Sequence, residues 1–210
     1  MRRKENHSVE NGDLIIKISQ IVADKGLKST TMDMVAHELG MSKRTLYELF
    51  GSKSEMIRET FRVLTKRNKE IVAETFKNSK NVMEALIKVF CFNRDWLQKV
   101  NVSFFRDMDR LYKEERESYE DSRRARHEEM MEIYKLGVEQ GMFRKDVDFN
   151  VQSRIMGIQM ESLKRMEEIF PKDISLLRVY DALILGFLRS IASPEGMGVL
   201  DSMSSELITN

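Results

Sequence analysis

Apolar residues recur every three or four positions along most of the chain, the spacing of one buried face of an α-helix. Leu14, Ile15, Ile18, Ile21 and Val22 form the first such stripe and predict a helix over about Asp13–Lys25, with Gly26 at its C-cap. Residues 1–12 are polar, end in Asn11-Gly12, and are expected to form a flexible arm. After Ser29, Thr30 with Asp33 three positions on reads as a capping box, and Met34, Val35 and Leu39 give a second helix its buried stripe before Gly40 breaks it. Ser42 caps a third helix, with Leu46, Leu49 and Phe50 expected to face inward. Ser52 and Glu55 form another capping box. They start a long helix carrying Met56, Ile57, Phe61, Leu64, Ile71 and Val72, expected to end near Asn78-Ser79.

Beyond it the same periodicity predicts helices over about Asn81–Lys99, Ser103–Tyr112, Glu115–Gln140, Asn150–Ile169 and Asp173–Ala192. Gly141 ends the third of these, Pro171 separates the last two, and Pro194-Glu-Gly-Met-Gly is expected to begin a poorly ordered tail. Neither a repeat nor a useful strand alternation interrupts the pattern. The predicted fold is all-α. A small three-helix helix-turn-helix domain over 13–55, with its motif at 31–50, is joined by a long helix to a larger helical domain over 56–210.

Composition agrees: 41% hydrophobic and 33% charged residues, 15 Met and only two Pro suit a helical globular protein. No run of about 18 apolar residues occurs, and the N-terminus MRRKENHSVENGD lacks the apolar stretch of a signal peptide. A cytoplasmic protein with no membrane partner is expected. Cys91 is the single cysteine, which excludes an intramolecular disulfide and a cysteine zinc cluster; Val89, Phe90 and Phe92 around it suggest a core thiol. The net charge of +1 hides an asymmetry, with 16 Lys and Arg against 11 Asp and Glu in residues 1–80, and 19 against 23 in the remainder. A basic head on an acidic body suits a polyanion-binding module, although a solvated charged face has the same composition.

The head has the residues for that task. A helix entering the major groove must be short and carry hydrogen-bonding side chains outward, because base edges and phosphates offer mainly polar groups. Lys43, Arg44, Thr45 and Tyr47 on the third helix meet this demand, next to the cap Ser42. Arg can bond guanine bidentately, Thr can bond a base or phosphate or pack its methyl on thymine, and a phenol can donate to a phosphate. Thr31 and Lys53 stand at helix N-termini, where unpaired N–H groups and the helix dipole favour an anion.

The order Gly26, Thr30-Thr31, Ala36 with Gly40, Ser42, Thr45-Leu46-Tyr47, Phe50 and Lys53, set within Leu14–Ile57, resembles the N-terminal domain of the tetracycline-repressor (TetR) family. The resemblance implies that Tyr47 and Lys53 grip phosphates while Lys43, Arg44 and Thr45 face the groove. Lys17-Ile18 stands where an Ala-Ala pair is common in the family and Val22 where Phe is common. Both departures fall on the packing face of the first helix. The implied function is a sequence-specific, DNA-binding transcriptional regulator, a ligand-responsive repressor acting as a homodimer on a palindromic double-stranded operator.

The resemblance extends over the body only in architecture, and there it implies dimerisation and often a small-molecule pocket. Ile155, Ile158, Ser162 and Met166, with Val151 and Ile169, form one apolar stripe; Leu177, Tyr180, Ile184, Phe187 and Ile191 form another. Two arrangements satisfy them, a four-helix interface between two copies or packing within one chain. Phe92, Trp96, Phe104, Phe105, Met108, Tyr112, Met130 and Tyr134 are candidates to line a pocket for a small hydrophobic or aromatic effector, and helical spacing equally allows them as plain core.

Enzyme chemistry finds no constellation. His127 opens a His-Glu-x-x sequence that ends in Met131 where a zinc protease needs a second His, and there is no glycine-rich phosphate loop. No catalytic residue, metal or cofactor is therefore expected. The rival reading is a helical interaction bundle that does not read DNA; the presence of Lys43, Arg44, Tyr47 and Lys53 counts against it.

Overall fold

The computed structural model describes residues 3–98, 116–171 and 173–208, with side chains at 12–98, 124–163, 165–166, 168–171 and 173–203. Its helices are α1 (Arg3–Lys25), α2 (Met32–Glu38), α3 (Lys43–Phe50), α4 (Lys53–Lys77), α5 (Val82–Gln98), α6 (Arg116–Glu139), α7 (Phe149–Ser162), a 3₁₀ turn at Leu163–Arg165, α8 (Met166–Ile169), α9 (Leu176–Ile191) and α10 (Pro194–Ile208). Among the described residues the only β-type pairing is an isolated bridge between Phe143 and Ala192, so the fold is all-α. The helix expected over Ser103–Tyr112, with Phe104, Phe105, Met108 and Tyr112, lies outside the described residues.

Two compact units divide the chain, and the border falls inside α4, between Val72 and Ala73. In the first unit, α1 begins at Arg3 and not near Asp13, so the stretch expected as an arm has helical backbone. Arg3, Lys4, Glu5 and Glu10 are good helix formers, and a single glycine at position 12 costs a helix only about 1 kcal/mol. The core of this unit is small and shared by four helices: Ile15, Ile18 and Val22 from α1, Val35 and Ala36 from α2, Leu46 from α3, and Met56 and Ile57 from α4.

The second unit is centred on α5, which packs against α6, α9 and α10. Its buried face comprises Val82, Met83, Leu86, Ile87 and Leu97, with Arg94 among them. Cys91, expected in the core, is half-buried. The last segment corrects the sequence expectation: Pro194–Ile208 is a helix, and Leu200 within it is fully buried. Ser193 caps it, its Oγ accepting from the Gly196 N–H at 3.0 Å, and proline suits the first helical position because its missing N–H has no partner there anyway. Gly196 is needed for close approach, since a Cβ there would stand 2.0 Å from the Met142 carbonyl oxygen.

The two stripes assigned to an interface behave differently. Tyr180, Ile184, Phe187 and Ile191 on α9, and Met166 on α8, are buried within the protomer. Helix α9 packs on α5, α7 and α10, so these buried side chains contribute to the protomer's own core. Leu177 and Ser162 are half-buried, and the Ser162 hydroxyl donates to the Gln159 carbonyl at 2.6 Å. Val151, Ile155 and Ile158 on α7, and Ile169 on α8, lie exposed, Ile158 at 68%. No helix among the described residues is long and apolar enough to cross a membrane, and no group of His, Cys, Asp or Glu among them is placed to hold a metal ion.

Candidate nucleic-acid interface

Helices α2 and α3 are set by local chemistry. Thr31, with extended backbone, is the N-cap of α2, and its Oγ1 accepts from the Met34 N–H at 3.2 Å. The cap is thus one residue later than the expected Thr30. Thr30 turns inward instead, fully buried, and its hydroxyl donates to the Gly26 carbonyl at 2.8 Å. Helix α2 closes with Gly40 N–H donating to the His37 carbonyl (3.1 Å) and Met41 N–H to the Ala36 carbonyl (2.8 Å). This is a Schellman closure, which requires the left-handed residue that Gly40 supplies at φ +63.

Ser42 then caps α3, its Oγ accepting from the Thr45 N–H at 3.0 Å and lying 2.8 Å from the Thr45 hydroxyl. Around the buried Leu46, the residues Lys43, Arg44, Thr45 and Tyr47 all point outward, Tyr47 at 41% exposure. Leu49 is also 41% exposed, whereas Phe50 is half-buried, so they do not both face inward as expected.

The cations are not idle. Lys43 Nζ lies 2.6 Å from Asp33 Oδ1 and 2.9 Å from Oδ2, and this hydrogen bond raises the Lys43 pKa above its ordinary value. Arg44 Nε donates to Glu48 Oε1 at 2.9 Å. Lys53, the first residue of α4, is half-buried and donates from Nζ to the Lys28 carbonyl at 3.2 Å, tying α4 to the loop before α2. An ammonium has three donors, so this bond leaves others for an anion. Sequence reasoning overlooked Asp33, Glu48 and Lys28 as partners. The i,i+4 spacing of Arg44 and Glu48 was a visible signal; the ten-residue gap between Asp33 and Lys43 was not.

The residues expected to line an effector pocket are only partly described, since Phe104, Phe105, Met108 and Tyr112 lie outside the described residues. Phe92 and Trp96 on α5 are exposed, and Met130 on α6 is half-buried. Tyr134 is engaged elsewhere: its ring stacks on Phe149 with centroids 4.2 Å apart, and its hydroxyl donates to the Arg144 carbonyl and lies 3.2 Å from that of Val147. It pins the turn between α6 and α7.

Residues 19–60 match the family described as bacterial regulatory proteins, tetR family. The chain is 29% identical over 153 residues to the HTH-type transcriptional repressor KstR2 of Mycobacterium tuberculosis, covering 69% of this chain and 74% of that protein. The corresponding repressor of Rhodococcus jostii is 27% identical over 149 residues, with 69% and 72% covered. The solved structure of the ketosteroid transcriptional regulator KstR2 of M. tuberculosis shares the fold at a TM-score of 0.58 and 22% identity, over 88% of this chain and 95% of that one. A TetR-family regulator from Agrobacterium tumefaciens shares it at 0.65 and 13%, over 88% and 98%. The match at residues 19–60 spans the Schellman turn, the Ser42 cap and the cationic face of α3, so that segment is similar to the bacterial regulatory proteins of the tetR family.

Proposed function

We propose that the protein is a repressor that binds a palindromic operator as a homodimer and leaves it when a small apolar effector occupies the body. The observation that carries the reading is the face of α3: Lys43, Arg44, Thr45 and Tyr47 exposed around a fully buried Leu46. Lys43, Arg44 and Thr45 read base edges; Thr31, Ser42, Tyr47 and Lys53 hold phosphates and set register. One such helix reads few bases, so two copies on half-sites a helical turn or more apart supply the affinity and specificity that one lacks.

The exposed row Val151, Ile155 and Ile158 on α7 supports self-association, because a row of this kind gains by burial against its own symmetry mate. The repressor role follows that of the KstR2 relatives, and the ketosteroid named for the Mycobacterium protein belongs to the apolar effector class that Phe92, Trp96 and Met130 suit. A cytoplasmic site of action accompanies binding to the chromosome.

Selection of bound duplexes from genomic fragments, followed by affinity measurement over a salt series, tests the reading. A duplex recovered from upstream of a gene, bound with an affinity that falls steeply with salt, is the expected result. Arg44→Ala should lower affinity by about 1–3 kcal/mol and change the preferred base at one position in each half-site; Tyr47→Phe should weaken binding across sequences alike. An Arg44→Ala protein with unchanged base preference reassigns that residue to the phosphates. Absence of duplex binding at low salt rejects the proposal.

A further inference from the structure

Both cations on the outer face of α3 are held by carboxylates. The Lys43–Asp33 pair runs from the first residue of α3 back to the first turn of α2, and the Arg44–Glu48 pair lies along α3 itself. All four side chains are exposed. Ion pairs this open to water add little to stability, so holding the fold together does not account for them.

The donors involved suggest what does. Arg44 gives Glu48 its Nε–H, which leaves the two terminal amino groups as the fork that matches guanine O6 and N7. Lys43 stands on a flexible four-carbon stem with three donors, and Asp33 restrains that stem while leaving a donor over. A phosphate approaching either cation also meets the negative charge beside it. A base edge carries no net charge and avoids that repulsion.

We infer that Asp33 and Glu48 are specificity-determining residues, which position Lys43 and Arg44 for base edges and weaken sequence-independent binding to phosphates. The inference rests on Lys43 and Arg44 facing the groove. It adds two acidic residues, one from each helix of the motif, to the apparatus that discriminates among sequences.

Full-length Asp33→Asn, Glu48→Gln and the double variant are compared with wild type on two probes: the tightest duplex that wild type selects from a randomised library, and a random-sequence duplex of equal length. Affinity for the random duplex should rise roughly two- to fivefold per substitution, with a steeper salt dependence. Affinity for the selected duplex should stay level or fall, so the ratio between the probes drops. Library selection with Glu48→Gln should show a broader preference at the base that Arg44 reads. Asp33→Glu, which keeps the charge, should retain a ratio near that of wild type, and thermal melting checks that every variant is folded. An unchanged ratio in a folded double variant overturns the inference. A wild-type protein that does not distinguish the two probes overturns the groove assignment beneath it.

Discussion

Arg94 of α5 holds Asp181 of α9 through two parallel hydrogen bonds, Nε to Oδ1 at 2.8 Å and Nη2 to Oδ2 at 3.1 Å. The Arg94 side chain keeps only 8% of its exposure, and its bond to Asp181 raises its pKa further above the usual value. Removing one partner strands the other charge in the core, whereas replacing both with apolar groups does not. Asp181→Leu alone should destabilise the protein by about 3 kcal/mol, and Arg94→Met with Asp181→Leu should recover most of that loss. Urea denaturation midpoints at constant m-value measure both. A double variant no more stable than the single one would show that the pair contributes more than mutual neutralisation.

Two glycines separate backbone strain from steric collision. Gly40 has φ +63 with open space where a Cβ would point, so Gly40→Ala should cost only the left-handed strain, about 1–2 kcal/mol. Gly196 is helical, but its Cβ would collide with the Met142 carbonyl oxygen. Gly196→Ala should therefore displace α10 and cost more than Gly40→Ala. Thermal melts of the two variants decide the order, and equal losses would contradict the close approach.

Ile158 tests the proposed dimer without touching the protomer core. Being largely exposed, it can become Glu at little cost to the folded protomer, while a charge buried at a self-association surface is strongly unfavourable. Sedimentation velocity should show Ile158→Glu as a monomer with a circular dichroism spectrum like that of wild type. A dimer that persists moves the contact off α7.

At alkaline pH the loss of stability should involve Tyr180. Burial, ahead of the neighbouring Cys91 and Asp181, raises the pKa of its phenol above the ordinary 10.0. The folded protein therefore keeps the proton at pH values where the unfolded chain has released it. Stability from this group is complete below pH 10 and falls as pH rises above it. Tyr180→Phe should flatten that fall, while losing about 1 kcal/mol at neutral pH with the 3.1 Å hydrogen bond to the Phe90 carbonyl. Denaturation midpoints from pH 8 to 11 measure both effects; an unchanged slope places the alkaline sensitivity elsewhere.

What was legible in the sequence was what adjacent residues settle. Ser42, Gly40 and Leu46 fix a cap, a turn and an inward side chain through contacts a few positions apart, and the reading head follows from them. Helix α9 was harder, because it is apolar on more than one face and periodicity alone does not say which face meets the protomer's own core. The Arg94–Asp181 pair spans 87 positions and leaves no local signal. Pro194-Glu-Gly-Met-Gly reads as a tail because of its proline and two glycines, although Gly196 is there to let a helix approach a carbonyl.

Thr30 and Thr31 are the same residue twice, turned opposite ways: one hydroxyl sealed against the Gly26 carbonyl, the next open to water as a cap. Sliding α2 by a single position would bring a buried methyl to the surface and force an exposed hydroxyl inside, so the pair acts as a ratchet tooth that prevents slippage in either direction. Lys43 begins α3 a fixed count of residues beyond that tooth. The reading face is therefore gauged from the core outward, and substitutions at the two threonines should be tolerated in opposite patterns, Thr31 accepting other caps and Thr30 accepting very little.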